Sequence, residues 1–417
     1  MSYAAVEACR SCGDPRLSPV LDLGEQPLAN AFRAADDASP EARFPLAICF
    51  CEGCSLIQLT GTVDPTVLFD DYPYFSSVSA SMVATERQLV DRLIEREDLG
   101  DGSLVVEVAS NDGYLLQRYV ERGIGVLGID PAANIAEHAA SVGVETLVAY
   151  FGSAVANDLV ASGRRADVIH ANNVIAHVPD INDFVAGMAS LLAPGGTVVI
   201  ETPHLVRMVE NVEFDTIYHE HVFYYSLHAL RGLLARHGLA TVDVEELHLH
   251  GGSLRVFARH APATPGPGVA ELLAMEEELG VASLAYYAGF ADRVALAGSS
   301  LVALLDELLA EGHALAGYGA AAKGTVLLNH FGIDSSYLQF VADRSPHKQG
   351  LVVPGVRIPI VSHEVLLERC PSATLLLAWN FADEIMAQQH EYAAGGGRFL
   401  VPVPEPRVVE DLVGPAA

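Results

Sequence analysis

Lysine is almost absent from this sequence: Lys323 and Lys348 are the only two among 24 basic residues, and the rest are arginine. Positive charge as a whole is scarce, with 24 Lys+Arg against 53 Asp+Glu and a net charge of −29 at pH 7. Such a field repels phosphate backbones and argues against nucleic acid as a partner. No uninterrupted apolar run reaches the ~18 residues that a membrane span needs. The start, Met1-Ser-Tyr-Ala-Ala-Val-Glu7, has neither a basic n-region nor an apolar h-region. The expectation is a cytoplasmic protein that engages no membrane. Charged residues are only 18% of the chain and hydrophobic ones 51%, which excludes disorder of the chain as a whole. At ~150 residues per domain, the 417 residues predict two or three domains.

Cysteine is also scarce after residue 54. Five of the six lie within the first 54 residues, and Cys370 stands alone. Cys9-Arg-Ser-Cys12 and Cys51-Glu-Gly-Cys54 are two C-x-x-C knuckles with 38 residues between them. Each places two thiols on one tight turn, and two such turns complete a tetrahedral S4 site. Four cysteines leave no open position, so the predicted metal is a structural zinc held by Cys9, Cys12, Cys51 and Cys54. A redox pair or disulfides suit a chain without secretory features poorly. Cys49 is one thiol too many and is expected to pack as a small hydrophobe.

From about residue 72 the pattern changes to alternating strands and helices. Strand signals occur at Ser103–Ala109, Gly125–Ile129, Ala166–His170 and Gly196–Ile200, with a helical segment such as Asp180–Leu192 between them. This alternation predicts a doubly wound, Rossmann-like parallel sheet with ligands at the carboxyl ends of its strands. His260-Ala-Pro-Ala-Thr-Pro-Gly-Pro-Gly268 reads as a linker. Beyond it lie a long helical stretch, Val269–Glu311, broken near Gly280, and a second αβ series with strands at Ala314–Gly319, Tyr337–Val341 and Ala373–Leu377. The predicted fold class is α/β: a zinc-binding module (1–71), a doubly wound Rossmann-like domain (72–260) and a second, smaller Rossmann-like domain (269–417).

Glu107-Val-Ala-Ser-Asn-Asp-Gly113 ends the first strand in a small turn that lets a ligand approach the backbone. Asp130, at the end of the next strand, is placed to accept from ribose hydroxyls. NAD sites prefer G-x-G-x-x-G, whereas here Ala109, Ser110 and Asn111 stand where glycines would, and Glu107 and Asp112 add negative charge. Acidic groups repel a pyrophosphate but suit a sulfonium and an amino-acid ammonium, so S-adenosylmethionine (SAM) is the expected ligand and a dinucleotide the competing one. The expected cofactor residues are Glu107, Ser110, Asn111, Gly113, Asp130, Phe151, Asn172 and Asn173. Tyr150-Phe151 offers a stacking surface for adenine, and Asn172, Asn173 and His177 come from a further strand end. Loop capping is the structural alternative for the two amides.

Glu213-Phe-Asp-Thr-Ile-Tyr-His-Glu-His-Val-Phe-Tyr-Tyr-Ser226 is dense in titratable and aromatic groups. On a helical turn Tyr218 and His221 share a face. In an extended segment Tyr218 and Glu220 share one face and the two histidines the other. Either geometry sets a histidine beside a phenol or a carboxylate, the equipment of general acid–base chemistry. A metal-binding His-x-His and a packed polar helix start are the alternatives.

These residues resemble the SAM-dependent sugar C-methyltransferases of antibiotic deoxysugar pathways, C-3′-methyltransferases included, nearly end to end. The likeness covers the paired C-x-x-C knuckles, Leu28-Ala-Asn30, Tyr72-Pro-Tyr-Phe-Ser-Ser-Val-Ser79, Glu107–Gly113 and Phe214-Asp-Thr-Ile-Tyr-His-Glu-His221. It continues through His250-Gly-Gly-Ser-Leu-Arg255, Gly317-Tyr-Gly-Ala-Ala-Ala-Lys-Gly324, Ala378-Trp-Asn-Phe-Ala382 and Pro402–Pro406. The resemblance implies a nucleotide-linked 4-keto-6-deoxysugar, commonly on dTDP, deprotonated beside its ketone and methylated at that carbon. His221 is then the expected base, oriented or tuned by Glu220. Tyr218 and Tyr72 or Tyr74 serve the enolate or deliver a proton, and His177 stands close by. Lys323, Asn329, Arg344 and Asn380 are the expected substrate residues, with Lys348 and Trp379 beside them, because an anionic diphosphate near a −29 protein needs local positive charge. The rival readings are an O- or N-methyltransferase, a zinc-containing NAD oxidoreductase and a zinc-ribbon scaffold.

Overall fold

The computed structural model describes residues 3–69, 80–247 and 251–409. Tyr72 and Tyr74, and His250 of the Arg255 motif, lie outside the described residues.

Strands β1 (Leu17–Pro27), β2 (Arg43–Cys51) and β3 (Ile57–Leu59) pair antiparallel after the first knuckle. Their period of two is visible in β1, where Leu21 and Leu23 are buried and Asp22 between them is exposed. Helix α1 (Ala80–Arg96) then leads into the middle sheet.

That sheet begins with β4 (Leu104–Val108), α2 (Leu116–Val120), β5 (Gly125–Asp130), β6 (Thr146–Val148) and β7 (Ala166–Asn172). Helix α3 (Ile181–Leu191) starts where the Asp180 side chain accepts from Asp183 N, and runs into β8 (Leu192–Pro203). A two-residue strand, β9 (Phe223–Tyr224), pairs with β3 of the zinc module. Helix α4 (Leu227–Arg236), capped by Ser226, leads to the hairpin β10 (Leu239–Leu247) and β11 (Ser253–His260). The seven strands lie in the order β10-β11-β8-β7-β4-β5-β6. β11 alone runs antiparallel to its neighbours. β4 is almost wholly buried, as a parallel strand covered on both faces must be.

After the linker, α5 (Pro267–Leu279) has proline in its first turn and ends at Gly280, whose φ of 76° supplies the left-handed cap. This is the predicted break in the helical stretch. α5 packs back on the middle sheet's side, where the buried Glu276 carboxylate accepts from Leu227 N (2.7 Å) and His228 N (2.8 Å) at the start of α4.

Helix α6 (Phe290–Ala310) has the length and apolar composition of a membrane span. It buries Phe290, Val294, Leu301 and Leu305, however, in a core shared by all three parts of the chain. In that core Leu21, Phe50 and Leu59 of the module meet Met208, Phe214 and Ile217 of the middle part and Val326, Leu327 and Leu375 of the last.

The final sheet is built from β12 (Leu315–Tyr318), α7 (Ala322–Phe331), β13 (Val341–Asp343), β14 (Ile360–Ser362), β15 (Ala373–Leu376), β16 (Arg398–Val401) and β17 (Arg407–Val409). Its order is β14-β13-β12-β15-β16-β17, parallel but for the last pair. The second strand, β13, starts at Val341, where the predicted one ended. Tyr337 and Leu338 instead donate their amides to Asp334 O in a turn that Ser336 also ties to Asp334.

Candidate active site and metal centre

The four Sγ atoms of Cys9, Cys12, Cys51 and Cys54 lie within 4.8 Å of one another, with Cys9–Cys54 at 3.6 Å and Cys12–Cys51 at 3.5 Å. Tetrahedral zinc with bonds of about 2.3 Å needs edges of about 3.8 Å, so the cage fits the ion. Cys49 stays outside it, its thiol donating to Gln58 O. The first knuckle is docked on the middle domain: Asn182 Nδ2 donates to Arg10 O (2.8 Å) and Ser11 O (3.1 Å), and Arg236 reaches Ser11.

At the carboxyl ends of β4, β5 and β7 the backbone coils tightly. Ala109, Asn111 and Gly113 take φ values of 54°, 47° and 77°, a conformation that costs a non-glycine residue and clusters at ligand sites. Asp130 holds this loop, accepting from Asn111 N (3.0 Å) and Ala132 N (2.9 Å), and each oxygen keeps a lone pair for a ribose hydroxyl. Glu107 Oε2 and Ser110 Oγ are buried without a hydrogen-bond partner among the described residues. A cofactor with an ammonium and hydroxyl groups satisfies such orphans, so the crevice fits SAM. Asn173 (φ 54°) donates its amide to Glu201 O, and Asn172 Nδ2 meets Glu86 Oε2 at 3.4 Å. Phe151 sets its ring at nearly a right angle to Phe184, with ring centres 5.5 Å apart.

His221 is locked by two contacts. A carbonyl can only accept, so the 2.9 Å contact from Nδ1 to Thr216 O puts the ring proton on Nδ1. Nε2 then presents its lone pair, which faces the Tyr218 hydroxyl at 2.8 Å. The His177 ring packs edge-on against His221 at 4.7 Å. Burial lowers the His177 pKa to about 4, against the carbonyls of Glu220 and Asn173, so it stays neutral. The loop is anchored by Phe214, which is fully buried and packs on Phe331 with ring centres 4.9 Å apart. Burying such a ring stabilises by about 1.5–3 kcal/mol.

Glu220 is not the group that orients His221. It turns away and accepts from Asn30 Nδ2 of the zinc module at 2.7 Å, while the half-buried Lys348 ammonium faces it. The alternation of side chains past Tyr218 sends neighbours to different walls, and a main-chain carbonyl does the orienting. His219 points into the core, with Nε2 on Phe44 O at 3.3 Å, which excludes it from a His-x-His metal pair with His221.

Burial pushes the Glu220 carboxyl up to about 7, with Asn30 and Lys348 pulling it down. The folded state therefore binds this proton more tightly than the unfolded chain. The stability contributed is full below the ordinary carboxyl pKa of about 4.3 and is lost as pH rises through 7. Glu220→Gln should consequently raise the melting temperature at pH 8 relative to wild type, by an energy on the order of 3 kcal/mol, and flatten its fall between pH 5 and 8. Parallel melting curves for the two proteins would refute this.

The C-terminal sheet repeats the Asp130 device. Asp343 accepts from Ala320 N (2.6 Å) and Ser345 N (2.7 Å), holding the loop after β12. Lys348 Nζ donates to Ala320 O (2.8 Å) and lies 5.0 Å over the Phe32 ring. Lys323 Nζ lies 4.5 Å over Trp379, whose Nε1 donates to the buried Asp215 at 2.7 Å. Both lysines are thus turned toward the 213–221 loop. Asn380 is half-buried in the turn after β15. Asn329, by contrast, is committed to the scaffold: Nδ2 donates to Thr325 O and Pro354 O, and Oδ1 accepts from Arg43. Arg344 is exposed and bonds Gln388 at 3.1 Å. Asn30, Thr216 and Asp215 are the residues that the sequence did not single out as site members. Leu28-Ala-Asn30, quoted above as part of the likeness, was the available signal for the first.

The fold and the crevice together define a SAM-dependent methyltransferase with a structural zinc module. Family profiles match in three consecutive stretches: a zinc binding domain at 9–69, a methyltransferase domain at 82–244 and a C-methyltransferase C-terminal domain at 248–404. C-methyltransferase NovU of Streptomyces niveus is 41% identical over 407 residues, covering 97% of each chain. The chain belongs to this C-methyltransferase family. A ubiquinone biosynthesis O-methyltransferase of Rhodopseudomonas palustris is 30% identical over 159 residues, 37% of this chain and 59% of that one. Among solved structures, the SAM-bound magnesium protoporphyrin IX methyltransferase of Synechocystis is 15% identical, with a TM-score of 0.34, and covers 43% of this chain and 79% of that one.

Proposed function

We propose that the enzyme methylates the carbon beside the ketone of a nucleotide-linked 4-keto-6-deoxysugar, with dTDP as the carrier, and that His221 is the general base. The observation that carries this reading is the fixed tautomer of His221, which leaves a basic nitrogen 2.8 Å from a phenol. A ketone oxygen entering the site draws the Tyr218 hydroxyl toward itself. The Nε2 lone pair is then free for the adjacent C–H proton, and the phenol donates to the oxygen that becomes the enolate. Bound SAM supplies the electrophilic methyl. Glu107, Ser110, Asn111, Gly113, Asp130, Phe151, Asn172 and Asn173 line the cofactor side. Lys323 and Asn380, beside the uncapped start of α7, face the diphosphate side. Tyr72 and Tyr74 belong to this reading through the sequence likeness alone.

The test is incubation of the enzyme with a dTDP-linked 4-keto-6-deoxysugar and S-adenosylhomocysteine (SAH) in deuterated water. Deuterium entering the carbon beside the ketone, with no entry in His221→Ala, is the expected result. Methylation of a hydroxyl or amine without any exchange would instead support the O- or N-methyltransferase reading, which the partial likeness to O-methyltransferases keeps in view.

A further inference from the structure

One motif has no place in the chemistry above: Gly251-Gly-Ser-Leu-Arg255. Gly251 and Gly252 have φ values of 94° and 125°. A Cβ on the first would strike the Glu213 carboxylate and on the second the Arg207 side chain, so close approach accounts for both glycines. Arg255 is unexplained by that. It lies in β11, 2% exposed, enclosed by carboxylates from three other elements. Nε donates to Glu201 of β8, Nη1 to Glu245 of β10 at 3.1 Å, and Nη2 reaches Glu86 of α1 at 3.5 Å.

Glu86 and Glu201 are each 2% exposed as well, and Glu107 of β4 is 1% exposed. Three buried carboxylates against one buried guanidinium cannot all ionise without a large desolvation cost. Burial and the neighbouring Glu201 drive Glu86 well above the ordinary carboxyl range while Arg255 pulls it back, and burial raises Glu201 as well. The same side chain accepts from Asn172 Nδ2 at 3.4 Å, at the carboxyl end of β7.

We propose that Arg255 and Glu86 are positioning residues that latch helix α1 across the carboxyl ends of β7 and β8 and the amino end of the antiparallel β11, and aim the Asn172 amide into the cofactor crevice. The proposal rests on the assignment of Asn172 to that crevice. Neither residue touches the cofactor space itself; each acts through Asn172. The groups facing Glu86 are Glu201, Glu245 and Arg255 on the sheet's far strands and Glu107 on β4. His170 on β7 and Tyr119 on α2 complete the set, bonded to each other at 2.9 Å. Burial holds His170 near 3, so it brings no charge. Arg92 of α1 pairs with Glu245 from the solvent side at 2.7 Å.

The fold favours the protonated form of Glu86. Latching is therefore full below about pH 4.5 and is lost as pH climbs toward the raised value. The experiment is calorimetric titration of the zinc-loaded full chain with SAH over the pH range in which the fold persists. Wild-type affinity should fall as pH rises, by about tenfold in all, the scale of one disturbed buried hydrogen bond. Glu86→Gln, which keeps the shape and removes the charge, should bind with no such fall. Arg255→Lys loses the fork that spans three carboxylates and should bind about tenfold more weakly at every pH with unchanged stoichiometry. Asn172→Ala should weaken binding to a similar extent. The latch is overturned if Asn172→Ala weakens binding while Glu86→Gln and Arg255→Lys follow the wild-type curve. Wild-type binding by Asn172→Ala removes the amide from the crevice and overturns both the assignment and the proposal. Should Arg255→Lys lose stoichiometry at constant affinity, it is misfolding, and the pH profile of Glu86→Gln decides.

Discussion

Replacing His221 with alanine should slow methyl transfer by about 10²–10⁴-fold, the usual contribution of a positioned general base, while SAH still binds as to wild type. The expectation comes from geometry. The Nδ1 proton is spent on Thr216 O at 2.9 Å, so the ring cannot turn its basic nitrogen elsewhere without stranding that carbonyl. Its neighbour His177 is held neutral by burial, so it adds no charge that would oppose protonation of His221. Tyr218→Phe makes the necessary comparison. It removes the donor at 2.8 Å and leaves the base, so proton exchange with solvent should persist, slowed, in that variant and vanish in His221→Ala. An alanine variant that exchanges at the wild-type rate would move the base to another residue.

Stripping the zinc should have the second large effect, and it should reach beyond the module. The knuckles hold the chain ends that present Asn30, and Asn30 holds Glu220 at 2.7 Å. Structural zinc in small domains contributes about 10–16 kcal/mol of apparent binding energy. Much of this module is secured in other ways, by its share in the common core and by Asn182 and Arg236 on the middle domain. The metal-free protein should therefore stay folded, melt roughly 10 °C lower and turn over at least about tenfold more slowly. Adding zinc back should restore both. Chelation that lowers the melting temperature with turnover untouched would show that the module does not support the Glu220 side of the site.

Four strands of the middle sheet and two of the last were legible because buried parallel strands write unbroken apolar runs, and their ends carry the loops Glu107–Gly113 and Gly317–Gly324; the strand expected at Tyr337–Val341 was displaced, and the short edge strands carried no such run. The zinc cage was legible because its ligands come in two local pairs. What the sequence could not display were contacts made at long range or by the main chain. Glu220 and Asn30 are 190 residues apart, and nothing local to either names the other. The orienter of His221 is a carbonyl, a group every residue possesses, so Glu220, the adjacent acid, was the natural expectation. Asn329 looked available because its amide lies in a helix beside Lys323. Its three hydrogen bonds come from the fold around it.

The mixed core beneath the site also limits how such enzymes diversify. Strands from the amino-terminal module, the 214–217 turn and helices from the carboxyl-terminal part interdigitate in one apolar cluster. The three parts are therefore separate as sheets but not as units of inheritance. A chimera that takes residues 269–417 from a relative imports one side of an interlocked surface whose other side stays native. Recombination that preserves packing must carry the module's strands and the Phe214 turn along with the new carboxyl-terminal half.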